Sequence, residues 1–210
     1  MTELARIPLH IVPPFDDRHL FERARQTGNR SRLTRLVPSE RRFVRAFRTP
    51  SGRAVPAAVQ FSGDVDTPAA EVILPSDVGE EDAAAIANAA AYMIGAAVDL
   101  APFYDAFAGD AKFAPLLSRL RGSKIFADPD LFECLAKTII SQQLNLAFAG
   151  TLIERLAKAA GETVELVDFF DFREFDPRGS VAEGPGDDKD GESGDGTVLA
   201  FPGAEAVARL

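Results

Sequence analysis

Residues 128–161, DPDLFECLAKTIISQQLNLAFAGTLIERLAKAAG, constrain the fold more than any other stretch of the chain. Asp128 is placed to cap a helix, with Pro129 at the first helical position, where its missing N–H costs nothing. Phe132, Leu135, Ala136, Ile139 and Ile140 recur at helical spacing and predict one apolar face. The pattern breaks at Ser141-Gln142-Gln143, and Asn145 is placed to cap a second helix. There Ala149, Leu152, Ile153 and Leu156 predict another stripe, and Gly161 falls where a C-cap glycine belongs. Two buried helices meeting at a polar joint are expected. Packing gives no reason for a pair of glutamines at such a joint.

The ordered series T-I-I-S-Q-Q-L-N-L-A-F-A-G (138–150), with P-D-L-F-E (129–133) upstream, resembles the helix–loop–helix that opens the catalytic domain of helix-hairpin-helix DNA glycosylases. It is most similar to the 3-methyladenine DNA glycosylase II type. The resemblance extends through Asp99-Leu100-Ala101-Pro102-Phe103-Tyr104 and Phe113-Ala114-Pro115-Leu116-Leu117. It is close over residues 92–161 and loose over residues 1–91. It implies an α+β N-terminal domain, a small antiparallel sheet with a helix, over residues 1–101. The beginning of an all-α helix-hairpin-helix glycosylase domain would follow over residues 102–210. It also implies hydrolysis of the N-glycosidic bond of alkylated bases after base flipping, without metal or redox cofactor. The partner would be double-stranded DNA carrying a damaged base, met by a monomer.

In that family a residue at the helix joint enters the duplex as the damaged nucleotide rotates out. Filling the gap offsets part of an unstacking cost of about a few kcal/mol. By resemblance Gln142 and Gln143 match the glutamine-containing pair, with Gln143 at the wedge position and Leu144 as an apolar neighbour able to serve instead. The competing reading is that both amides merely cap exposed helix ends. Lys124, in the loop Gly122-Ser123-Lys124, is a candidate phosphate contact, one charge only.

The resemblance also sets an expectation about what lies downstream. Catalysis in the family uses a hairpin of the type L-P-G-x-G, whose N–H groups hold a phosphate, and a later aspartate that stabilises the oxocarbenium-like sugar. Phe201-Pro202-Gly203-Ala204-Glu205 lacks the hairpin's second glycine and better matches an F-P-x-x-E helix that precedes it. No catalytic residue is therefore assigned within these 210 residues; the aspartate is expected beyond residue 210, and the chain alone is expected to be inactive. Two other readings stay open: a non-catalytic DNA- or protein-binding module, and an oxidised-purine glycosylase-lyase.

A net charge of −9 looks hostile to a polyanionic partner, but its distribution matters more than its sum. Residues 1–60 hold 12 Arg and 5 acids, a balance of +7, whereas residues 162–196 hold 12 acids and 3 bases, a balance of −9. Without that one acidic segment the chain is neutral. Acid excess, with 18 Arg to 5 Lys, suggests a salt-rich cytoplasm. A lone cysteine, Cys134, excludes an internal disulfide and the four-cysteine iron–sulfur cluster of other branches; it is expected to be a packed thiol. His10 and His19 have no second ligand nearby in sequence, so no metal site is predicted. No apolar run is long enough to span a bilayer, and the N-terminal stretch lacks a signal-peptide core.

Strands are expected at 7–12, 41–48, 53–61 and 71–74, with a hairpin turn at Thr49-Pro50-Ser51-Gly52 and Pro56 forcing an edge or bulge. A helix is expected over 19–25, and an alanine-rich one over 80–100 with acids in its first turn. Short helices follow at 103–108 and 113–121. The arginines at 41, 42, 45, 48 and 53 predict a solvated sheet face rather than a phosphate track. Residues 173–196, rich in Asp, Glu and Gly, cannot bury enough surface to offset their ordering entropy and are expected to be a disordered or solvated loop.

Overall fold

A computed structural model describes residues 3–27, 31–166 and 196–210. Seven strands and seven helices follow in chain order: β1 (Leu4–Leu9), α1 (Arg18–Thr27), β2 (Thr34–Val37), β3 (Arg42–Arg48), β4 (Ala54–Gly63), β5 (Pro68–Pro75), α2 (Glu80–Met93), α3 (Ala101–Phe107), α4 (Ala114–Arg119), α5 (Leu131–Ser141), α6 (Leu146–Ala160), β6 (Glu162–Glu165), β7 (Thr197–Ala200) and α7 (Ala204–Val207). The first five strands form one antiparallel sheet in the order β1-β5-β4-β3-β2. Alternation along β3 and β4 sends Phe43, Phe47, Val55, Ala57, Val59 and Phe61 to one face, where they pack against Ile86, Ala90 and Met93 of α2 and Phe21 of α1.

The opposite face corrects the expected division into a sheet domain and an all-helical remainder. Val44, Ala46, Ala58 and Ile73 point there and are covered by Leu166, Val198 and Ala200. These come from an antiparallel hairpin, β6 with β7, built from the stretch expected to be helical or irregular. The physical reason is burial: without the hairpin this face would expose a contiguous apolar row. The expectation for residues 173–196 falls, Gly196 apart, outside the described residues.

Local differences have equally specific causes. Strand β2 was not expected, since Arg35 interrupts its apolar pattern, yet Leu36 is buried and β2 pairs with β3. Helix α2 stops at Met93, not near residue 100. Gly95 adopts φ +63 while Ala96 N–H donates to Ala91 O and Gly95 N–H to Tyr92 O, the paired bonds of a Schellman stop. Pro56 sits in central β4, opposite Ala46, but pairing of β4 with β5 begins only at Ala58. Strand β4 is thus locally an edge where the missing N–H would face.

The cap of α5 is Asp130, whose carboxylate accepts from Glu133 N–H at 2.9 Å; Asp128 instead accepts from Lys137. Asp130 stands three residues before Glu133, the spacing of a capping box, which Asp128 lacks. Gly161 closes α6, though not as a left-handed cap, since its φ is −91. A Cβ there would lie 2.3 Å from Ala200 O and 2.4 Å from Ala157 O. Glycine is required because β7 passes against the helix end. Gly161→Ala is expected to cost about 1–3 kcal/mol by overpacking backbone against backbone, read as a lowered urea midpoint. An unchanged midpoint would mean that β7 is not seated there.

Candidate nucleic-acid interface

The joint runs from the C-terminus of α5 at Ser141 to the side-chain cap of α6, while the side-chain cap of α5 lies at that helix's far end. Asp130 starts α5, and Asn145 starts α6 by accepting from Phe148 N–H at 2.8 Å. Between them Gln142 is extended, with its N–H donating to Ile139 O, and Gln143 has φ +61. A left-handed non-glycine residue carries a strain of about 1 kcal/mol or more, and such positions concentrate at functional sites. Gln142, Gln143 and Leu144 are all exposed, Leu144 at 38%. The helix-capping reading of the amides fails for α6, whose cap is Asn145.

The helices are less buried than their stripes suggest. Glu133, Ala149 and Ala157 are their buried residues. Phe132 and Ala136 pack with Ile153 and Leu156 around Leu199 and Phe201. A second row on α5, Leu131, Leu135 and Ile139, faces outward at 73%, 51% and 66% exposure. Leu146 and Phe148 of α6 are exposed too, and so is the thiol of Cys134, which is not packed as expected. The sequence stripe was one apolar arc wide enough for two neighbours, and the described residues supply one of them.

Charge anchors α5 to the sheet. Glu133, 1% exposed, accepts from Arg45 of β3 at 2.8 Å and from Lys137 one turn on. Lys137 also meets Asp128 at 2.6 Å. Burial pushes the Glu133 carboxyl up, but Arg45 and Lys137 outweigh it and hold it below the ordinary carboxylate range. Arg45 itself is 2% exposed, stacked over Phe47 with Met93 Sδ at 3.9 Å.

The expected solvated arginine face is therefore corrected for most of its members. Arg41 grips Asp17 in a two-point contact, Arg42 meets Glu40 and Gln60, and Arg48 donates to the carbonyls of Phe201 and Gly52. Asp17, Gln60 and Phe201 are partners that only tertiary structure could reveal, since they come from distant elements or across strands. Lys124 is turned inward: its ammonium donates to Val12 O at 2.7 Å and Ala96 O at 3.4 Å, above the Phe15 ring. Burial lowers its pKa, partly offset by Asp99. Lys124 thus serves the packing of its loop against the segment that follows β1, and its ammonium is turned away from any phosphate. Tyr104 is also structural, its hydroxyl accepting from Gly122 N–H at 2.9 Å. Among the described residues no group of His, Cys, Asp and Glu side chains is arranged to hold a metal, and no helix is long and apolar enough to cross a membrane.

No family model matches the chain. Its sequence is 36% identical over 67 residues to the DNA-3-methyladenine glycosylase of Bacillus subtilis (strain 168), covering 32% of this chain and 22% of that protein. Its fold is similar to the 3-methyladenine DNA-glycosylase from Archaeoglobus fulgidus, with a TM-score of 0.64 at 17% identity, over 96% of this chain and 57% of that one. The structure of MBOgg1 in complex with low affinity DNA ligand matches with a TM-score of 0.56 at 14% identity, over 100% of this chain and 57% of that one. The fold is thus one shared with DNA glycosylases, and the chain spans little more than half the length of either structure. The local sequence match is likewise to a 3-methyladenine glycosylase, so the resemblance to DNA glycosylases is supported as a likeness, in sequence over 67 residues and in fold.

Proposed function

We propose that this chain engages DNA as part of a base-excision glycosylase for alkylated bases, with the α5–α6 joint as its wedge. The single observation that carries this reading is Gln143: exposed, left-handed, and displayed between the end of α5 and the capped start of α6. A strained, solvent-facing amide contributes nothing to packing, so its conformation is accounted for by what it meets outside the molecule. Entering the gap left by a flipped nucleotide, it would hydrogen-bond the orphaned base, with Leu144 offering apolar contact beside it. Gln142 stands at the rim, and duplex DNA is the partner.

Gln143→Gly tests the wedge and separates function from stability. Glycine accepts φ +61 without strain, so the variant is expected to fold as stably as the parent or up to about 1 kcal/mol better. Its binding to a duplex with an abasic site is expected to weaken about tenfold more than its binding to an intact duplex. That difference is about 1.4 kcal/mol, within the range of one stacking or hydrogen-bonding contact. Equal losses on both duplexes would reduce Gln143 to a loop residue. For chemistry, the acids of the helix pair are engaged: Asp130 in capping, Asp128 and Glu133 with Lys137, Glu154 with Lys158. Residues 1–210 alone are accordingly expected to release no base from methylated duplex DNA. Measurable release would place a working carboxylate within this chain.

A further inference from the structure

We infer that Arg45 and Glu133 are a positioning pair, which sets where the glutamine joint stands relative to the sheet; this rests on the proposed wedge. Helix α5 has apolar contact on one side, where Phe132 and Ala136 are half-buried against Leu199 and Phe201, while Leu131, Leu135 and Ile139 face out and Glu133 is its buried residue. Arg45, by contrast, belongs to β3, which is paired on both sides by β2 and β4 and is among the most constrained places in the fold. The 2.8 Å contact therefore ties a helix packed on one side only directly to a strand of the sheet, near one end of the helix. The joint lies at the other end. Ser141, the last residue of α5, follows Glu133 by eight residues, about 12 Å along the helix axis, and Gln143 stands just beyond it. Over that lever a tilt of about 5° moves the wedge by more than about 1 Å, enough to matter for a geometry-dependent contact.

An ion pair suits this task better than an apolar one. A leucine contact tolerates sliding, whereas guanidinium and carboxylate impose distance and direction together. Lys137 and Asp128 complete the arrangement by holding the second oxygen of Glu133 and the entry to α5. Neither Arg45 nor Glu133 is exposed, so neither can touch DNA, and any effect they have on binding is transmitted through α5.

The test separates orientation from stability. Spin labels are placed at Asp77→Cys and Leu146→Cys, both exposed, in a Cys134→Ser background, and their distance distribution is measured by pulsed dipolar spectroscopy. Arg45→Met/Glu133→Leu replaces the pair by apolar groups of similar volume, a change that is often neutral for stability. The distribution is expected to broaden at least about twofold while thermal denaturation stays cooperative. Preference for an abasic over an intact duplex is expected to fall about fivefold, short of the loss from a misplacement of 1 Å at a reacting centre. If the double variant does not fold, Glu133→Gln, which keeps the side chain's shape and one acceptor, replaces it with the same expected direction. A folded variant with the parent's distance distribution overturns the inference, whatever its DNA binding. Broadening in a protein whose parent shows no abasic preference upholds the anchor and removes the wedge.

Discussion

Glu133→Ala is expected to destabilise the protein by about 3–5 kcal/mol, the range for removing one partner of a buried ion pair. The loss comes less from the contact itself than from what remains. Arg45 would stay 2% exposed and charged, with Ala46 O at 3.4 Å and a methionine sulfur as its remaining close partners. Lys137 would keep Asp128, so its half of the network survives. The double replacement Arg45→Met/Glu133→Leu should recover most of the loss, because no unpaired charge remains buried. A Glu133→Ala variant within 1 kcal/mol of the parent, measured by urea denaturation at about pH 7, would mean that water reaches Arg45. The same carboxyl gives the protein a share of its acid sensitivity. Its folded pKa lies below the ordinary value of 4.5, so its stabilisation is complete above that value and is lost as pH falls through the folded one. Glu133→Gln should flatten the acid limb of the stability profile in that window. A parallel acid limb would assign the sensitivity to other carboxylates, such as Asp16, whose pKa is raised by burial but lowered on balance by Arg18.

Phe43→Ala is the second large effect, expected at about 3–5 kcal/mol. The ring is wholly buried and meets Phe61 at 6.1 Å and, edge to face, Phe126 at 5.4 Å between centroids. Phe61 in turn touches Phe15 and Phe21, so one aromatic cluster joins β3, β4, α1 and the segment that leads into α5. A cavity there cannot be filled by a small shift, because its walls belong to a sheet and to a segment pinned by Ala127 N–H on Met93 O. The variant should also loosen the approach to α5, visible as faster amide exchange at Ala127. Destabilisation well under 2 kcal/mol would show that Phe126 can swing in and close the void.

Much of the architecture was legible from the chain. The hairpin around residues 49–52, the strands at β3 to β5, the helix with Glu80, Glu81 and Asp82 at its start, and the Asn145 cap all follow from short-range rules. So does the location of the joint, because two helical stripes cannot be continuous across Ser141-Gln142-Gln143. What could not be read is equally specific. Arg45 was expected on a solvated face and Glu133 gave no sign of burial, since a buried ion pair leaves no periodic signal and its partners are 88 residues apart. Lys124 looked available for phosphate, since nothing local shows two carbonyls and a ring waiting for it. Gly161 was placed correctly for the wrong reason: its neighbour β7 lies far along the chain.

By itself the sequence determined strands β3 to β5, the start of α2, the family resemblance and the position of the glutamines, because these rest on side-chain period, caps and turn residues within a few positions of one another. Tertiary structure alone decided which charges are buried, which half of each helical stripe is covered, that β6 and β7 close the second face of the sheet, and that Gln143 is held left-handed. Those outcomes depend on which distant surfaces meet, and the free energy of a meeting belongs to the pair rather than to either segment.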